Sequence, residues 1–381
     1  MDTLTVPQGN FQLARFPVRN KETLRAWDAA DEYLLHQLSE EGYPSHDSRV
    51  LICNDSFGAI SIALADNLPT MQSDSFISQQ ATLNNLRIND LPESSVAHIN
   101  SLTSLSSVLP KDAKLDLLII KITKSLAQLE DQLQRLRPYL TAETKIIAAG
   151  MVKGIHTSTL QLFEKIIGPT HTSLARKKAR LIFCQYDATL IPPENNYPKH
   201  YLLENTQYQI TNHANVFSRE KLDIGTRFFI QNLPTNSHYR NIIDLGCGNG
   251  IVGLIAGEKN PAAKVHFIDE SYMAVASAKE NFGRAFPERS AEFTVTDCLK
   301  GVPDNSCDLI LNNPPFHQQN TVGDFIAQQM FKESYKVLNK GGELWVIGNR
   351  HLGYHVILKR LFSNCETVAS NKKFVILKAV K

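Results

Sequence analysis

The chain has 381 residues, enough for two domains that each bury their own core. With 43% hydrophobic and 20% charged residues, it is neither disordered nor fibrous in composition. A formal net charge of +2 excludes a strongly basic chain whose charge alone would announce a nucleic-acid binder.

At the N-terminus, Met1 to Phe16 lacks the basic start, apolar core and small-residue cleavage site of a secretory leader, so a cytoplasmic location is expected. Strand-like apolar runs follow at Ser48–Cys53, Leu115–Ile120, Thr144–Ala148 and Arg180–Cys184. Amphipathic helix-like stretches separate them, the alternation that builds βαβ units around a parallel sheet. None of the runs is long enough to span a bilayer, so no membrane partner is expected. The cations Arg176, Lys177, Lys178 and Arg180 form a cluster able to meet phosphates, although such clusters are more often solvated surface.

The stretch from Asp187 to His200 holds Pro192, Pro193 and Pro198 among polar residues, poor material for a helix or a central strand. We therefore divide the chain into a domain at 1–190, a linker at 191–206 and a domain at 207–381. In the second half, strands are predicted at Asn241–Leu245, Lys264–Ile268, Glu292–Thr296, Leu309–Asn312, Glu343–Ile347 and Lys373–Ala379. The two series overlay. Cys307-Asp308-Leu309-Ile310-Leu311 matches Leu115-Asp116-Leu117-Leu118-Ile119, and the run from Gly348 to His355 resembles that from Gly150 to His156. This order points to duplication of a whole domain. The six cysteines, Cys53, Cys184, Cys247, Cys298, Cys307 and Cys365, show no Cys-x-x-Cys pair and no histidine cluster, so no metal is expected.

Chemistry concentrates in the second half. After the strand Asn241–Leu245 comes the turn Gly246-Cys247-Gly248-Asn249-Gly250, whose glycines let the backbone approach a ligand closely. Asp269, at the end of the next strand, is placed to accept both hydrogen bonds of a ribose diol. Gly248, Gly250 and Gly253 also satisfy the dinucleotide pattern, which keeps a nicotinamide or flavin enzyme in view. Against it, Asp244 at the strand end suits the cationic methionine end of S-adenosylmethionine and would be unwelcome beside a pyrophosphate. Asp297, after the third strand, is placed to accept from the adenine amine.

Directly after Leu309–Asn312 stands Asn313-Pro314-Pro315-Phe316. The prolines fix the backbone and remove two donors, leaving carbonyl oxygens free to accept. An amine conjugated to a ring is a poor nucleophile, because its lone pair is delocalised. The Asn313 side-chain oxygen and the Pro314 carbonyl, accepting its two protons, would favour the pyramidal amine and aim its lone pair. Phe316 would stack on the flipped-out base.

These residues resemble the amino-group methyltransferases with an Asp/Asn-Pro-Pro-aromatic signature, and among them the tandem-domain guanine-N2 ribosomal RNA methyltransferases. The resemblance runs through Val216-Phe217-Ser218, Lys221, Asp223 and Gly225, then Asn313 to Gln319, Gly341-Gly342-Glu343-Leu344, Asn349-Arg350-His351-Leu352 and the closing Lys373 to Lys381. It implies two tandem Rossmann-like α/β methyltransferase domains with mainly parallel sheets, S-adenosylmethionine as cofactor and ribosomal RNA, of the large subunit, as partner. It also implies a degenerate N-terminal domain. There the overlay sets Lys121-Ile122-Thr123-Lys124 against Asn313 to Phe316, and Cys53-Asn54-Asp55-Ser56-Phe57-Gly58 against the glycine turn. Methylation of a protein glutamine amide or of an adenine amine stays open, as does a non-catalytic RNA-binding assembly factor.

Overall fold

The computed structural model describes residues 2–18, 22–315 and 321–381. The chain divides into two compact units, Met1–Asn196 and Tyr197–Lys381.

The first unit opens with a hairpin of β1 (Asp2–Val6) and β2 (Gly9–Leu13), followed by α1 (Ala29–Glu40). Its sheet is then built from β3 (Val50–Cys53), α2 (Ala59–Ala63), β4 (Thr70–Ser73), α3 (Phe76–Ile88), β5 (Ala97–Asn100), β6 (Leu117–Lys121), α4 (Leu126–Leu136) and β7 (Lys145–Met151). The helix α5 (Thr157–Ile166) and the strands β8 (Thr170–Thr172) and β9 (Ala179–Cys184) complete it. The strand order is β5-β4-β3-β6-β7-β9-β8, parallel except where β9 meets β7 and β8.

The second unit repeats the plan. A hairpin of β10 (Lys199–Leu202) and β11 (Gln209–Asn212) precedes α6 (Ile224–Gln231). Then come β12 (Asn241–Leu245), α7 (Ile251–Lys259), β13 (Lys264–Asp269), α8 (Tyr272–Ala285), β14 (Glu292–Val295), β15 (Cys307–Asn312) and α9 (Thr321–Val337). The unit closes with β16 (Leu338–Asn349), α10 (Tyr354–Phe362), β17 (Glu366–Ser370) and β18 (Phe374–Val380). Its order, β14-β13-β12-β15-β16-β18-β17, is that of the first sheet. Both sheets are of the doubly wound kind, with order reversing between β3 and β6 and between β12 and β15, where such sheets bind ligands. The expected α/β tandem is therefore present, and β10 occupies residues that the proline content had assigned to a linker.

Central strands are buried on both faces, as parallel sheets require: Leu117 to Ile120 and Leu309 to Leu311 are all fully buried. Apolar clusters cover the two faces of each sheet. Burying one such side chain contributes about 1.5–3 kcal/mol, which fixes the strand ends and the turns that follow them.

Candidate active site

The glycine turn leaves β12 through Gly246 (φ +71°), Gly248 (φ +53°) and Gly250 (φ +79°), all in the left-handed region. Their roles differ. A Cβ on Gly250 would lie 2.9 Å from Ala278 Cα, so packing against α8 demands this glycine. A Cβ on Gly248 would meet nothing within 4 Å, which leaves an open side to the turn. Gly246 and Cys247 donate to Ile268 O at 2.8 and 3.0 Å, tying the turn to the end of β13.

Asp269 closes that tie, accepting from Gly248 N at 2.9 Å through one oxygen and from Ser271 N at 3.0 Å through the other. Asp244 is 3% exposed and accepts from Gly253 N, inside α7, at 2.7 Å. Burial pushes its carboxyl up to about 8; the Gly253 N–H opposes this and nearby Asp269 adds to it. Asp297 is also buried, and Gln329 of α9 donates to it at 3.2 Å. A network not foreseen from sequence supports the turn: Asn281 of α8 donates to Asn249 O and Thr211 O, each at 2.9 Å, and Asn249 donates to Asn212 at 2.8 Å.

One strand away, β15 pairs Asn312 with Leu245 and delivers Asn313 beside the turn; the Asn313 carbonyl oxygen would lie 3.9 Å from a Cβ on Gly246. Thr226, in the first turn of α6, donates its hydroxyl to Asp223 at 3.4 Å and accepts from Asn313 Nδ2 at 3.3 Å. That arrangement fixes the amide, so Oδ1 is the free end. Asn313 Oδ1 is buried and has no hydrogen-bond partner among the described residues, as are Asn312 Oδ1 and Asn349 Oδ1 at the same sheet edge. An unsatisfied buried acceptor costs about 1–3 kcal/mol, which a bound donor recovers. Pro314 is buried and Pro315 half-buried. Phe316, the expected stacking residue, lies outside the described residues. Sequence reading missed Thr226; its signal was the helix-start pattern of Asp223 followed by Thr226.

The turn, its open side and the carboxylates around it fit S-adenosylmethionine: Asp269 can hold the ribose, Gly246 and Gly248 give backbone room, Asp297 can take the adenine, and Asp244 can supply negative charge within the turn once a cationic ligand favours its ionised form. Among the described residues no group of three or more His, Cys, Asp or Glu could hold a metal ion.

In the first unit the same places are filled. Register sets Asn54-Asp55-Ser56-Phe57-Gly58 against Gly246 to Gly250, and Ser73 against Asp269. Gly58 keeps the left-handed φ of +81° and the close packing, since a Cβ added there would lie 2.9 Å from Thr82 Cα. The open Gly248 has become Ser56. Asp55 folds inward, accepting from Gly58 N, Ile60 N and Ser61 N at 2.9 to 3.0 Å.

Sheet order, glycine turn and Asn-Pro-Pro segment together define a Rossmann-like methyltransferase. Residues 207–378 match the family described as methyltransferase small domain, and residues 1–188 match the RLMG N-terminal domain. Over its full length the chain is 50% identical to the ribosomal RNA large subunit methyltransferase G of Streptomyces avermitilis, covering 99% of that protein. The protein of that name from Aeromonas salmonicida is 50% identical over 97% of this chain and 96% of its own. The chain belongs to the ribosomal RNA large subunit methyltransferase G family. A T. thermophilus 16S rRNA N2 methyltransferase, solved with AdoMet and guanosine, superposes over 100% of this chain and 97% of its own at a TM-score of 0.75 and 18% identity, a likeness of fold.

Proposed function

We propose that the chain transfers a methyl group from S-adenosylmethionine to the exocyclic 2-amino group of a guanine in large-subunit ribosomal RNA, with Tyr197–Lys381 as the catalytic unit. The observation that carries this reading is the buried, unpartnered Asn313 Oδ1, oriented through Thr226 and set beside the glycine turn. Bound at that turn, the cofactor supplies an activated methyl group on a sulfonium. The chain's own residues do the rest. Asn313 Oδ1 and the Pro314 carbonyl accept the two amine protons, hold the nitrogen pyramidal and aim its lone pair across the edge between β12 and β15. The attacking nitrogen becomes acidic as its new bond forms, so its proton leaves afterwards and no strong base is needed beforehand. Phe316 would stack on the base.

The first unit, with Ser56, Ser73 and Lys121 at the equivalent places, serves RNA recognition or support and does not catalyse. Selecting one guanine in a large RNA needs more surface than a base pocket offers. The relatives' printed names favour ribosomal RNA over protein glutamine. Mass spectrometry of nucleosides from ribosomal RNA of cells with and without the protein tests the reading; unchanged N2-methylguanosine would overturn it.

A further inference from the structure

We propose that the tip of the β17–β18 hairpin, with the turn after β16, is the phosphate-binding surface that holds the RNA strand beside the target base. This rests on reading the unit as an RNA-base methyltransferase. The tip carries Lys372 and Lys373, and the adjoining turn carries Arg350 and His351; all four are exposed. Arg350 N donates to Lys373 O at 3.1 Å, which locks the two segments into one patch. Asn371 Oδ1 accepts from Lys373 N at 2.9 Å and Phe374 N at 2.8 Å, so the tip is already shaped.

The charge of this patch is uncancelled. Arg350 reaches only the Asn371 carbonyl, at 3.4 Å, and none of Arg350, Lys372 and Lys373 has a carboxylate partner among the described residues. Further along the same hairpin, Lys378 is paired with Glu366 at 2.8 Å, so free cations are confined to the tip. The patch also stands at the reacting edge. Asn349 pairs with Phe374 in register, and this residue, whose buried Oδ1 has no partner among the described residues, immediately precedes Arg350. The strand that ends at Asn349, β16, neighbours the strand that delivers Asn313.

The duplication supplies a comparison within the molecule. In the first unit Val152 N donates to Lys178 O at 2.8 Å, the counterpart of the Arg350–Lys373 bond. There, however, Lys177 is paired with Glu32 at 2.9 Å and Arg176 lies over the Tyr33 ring at 4.8 Å. The first unit commits those two cations to its own fold and leaves Lys178, the register counterpart of Lys373, exposed; in the second unit Lys373 Nζ lies 5.0 Å from the Phe374 ring centre, and no cation of the tip is paired with a carboxylate among the described residues. Exposed ammonium and guanidinium groups without carboxylates, beside a base-sized site, suit the phosphodiesters flanking an extruded nucleotide.

The test is binding of unmodified, in vitro transcribed large-subunit ribosomal RNA to the full chain over a range of salt, comparing wild type with Lys372→Glu/Lys373→Glu. The double variant should bind several-fold more weakly, with a plot of log affinity against log salt shallower by about 1.4, at about 0.7 per phosphate lost on a single strand. S-adenosylmethionine affinity should stay that of wild type. Lys340→Glu, at the far end of β16, should leave the slope unchanged. If charge reversal disturbs folding, Lys372→Gln/Lys373→Gln serves in its place. An unaltered slope with methylation intact overturns this inference and leaves the methyltransferase reading standing, and would direct attention to an acidic protein as partner of the tip. A wild-type protein that neither binds nor methylates the transcript defeats the reading itself.

Discussion

Lys121 and Asn313 stand at the same place in the two duplicated sheets, each one residue past the strand position that pairs with the end of the first parallel strand, and each reaching the third residue of the unit's first helix. Asn313 Nδ2 meets Thr226 Oγ1 at 3.3 Å; Lys121 Nζ meets Asp31 Oδ1 at 2.5 Å and Asp28 Oδ1 at 3.0 Å. Asp28 and Asp223 are the N-caps of those helices. One geometry thus presents a free acceptor to a ligand in one unit and a closed ion cluster in the other. Burial opposes the Lys121 charge, but Asp31 and Asp28 hold its ammonium above the usual range.

Removing the Asn313 amide should therefore damage the reaction and not the fold. Asn313→Ala should lower the methylation rate by about 100-fold while S-adenosylmethionine affinity, measured by calorimetry, is kept. Thr226→Ala should lower kcat less, as a positioning residue, and Thr226→Ser should restore it. A near-normal rate in Asn313→Ala would mean that something else orients the amine.

Cofactor affinity should depend on the open glycine and the carboxylate tied to it. Gly248→Val forces a β-branched residue into a left-handed φ of +53°, and Asp269→Ala removes the acceptor. Each should weaken binding by about tenfold or more, a loss of ~1.4 kcal/mol. Undiminished affinity in both would remove the turn from the cofactor site.

Asp244 gives a pH dependence with a defined sign. Its folded-state value of about 8 lies above the ordinary carboxylate range, so below it the buried group holds a proton that the unfolded chain has released. The ligand-free protein accordingly loses stability from this group as pH rises from about 4 to about 8. A cationic ligand end nearby favours the ionised form, so S-adenosylmethionine should bind more tightly as pH rises from about 6 to about 8, releasing a proton detectable by calorimetry in buffers of different ionisation heat. Asp244→Asn should flatten both dependences; a wild-type affinity that is flat over this range would contradict the assignment.

In the first unit, Lys121→Ala leaves Asp28 and Asp31 facing each other and should cost about 3 kcal/mol, seen as a lower denaturation midpoint. Cofactor affinity should be unchanged, since the register counterparts of its binding residues are already lost there. A weakened affinity would show that the first unit also takes the cofactor.

Much of this was legible in the sequence where burial dictates residue type. The strands from Asn241 and Cys307 announce themselves because both faces are covered and their apolar residues run nearly unbroken, whereas those from Lys264 and Glu292, nearer the sheet edge, show only alternating apolar positions. Thr70–Ser73, reading Thr-Met-Gln-Ser, and Lys199–Leu202 are short and polar; the pairing that makes them strands is not local. The glycine turn and Asn313 were visible as motifs, but Thr226 was not, since its role depends on α6 meeting β15 across 87 residues. Asp244 is directed into α7 at Gly253, so a negative charge on it, once a cationic ligand favours that form, acts from within the turn. Of the basic cluster, Lys178 remains exposed and unpaired, whereas Arg176 and Lys177 are engaged and Arg180 Nε is buried without an acceptor among the described residues.

The central claim is tested most directly by incubating the purified full chain with unmodified large-subunit ribosomal RNA and S-adenosylmethionine carrying a deuterated methyl group, then digesting the RNA to nucleosides for mass spectrometry. The account expects the label on the 2-amino group of guanosine, at a single site, and its loss with Asn313→Ala. Label on adenosine, label confined to protein added in parallel, or no transfer at all would contradict it.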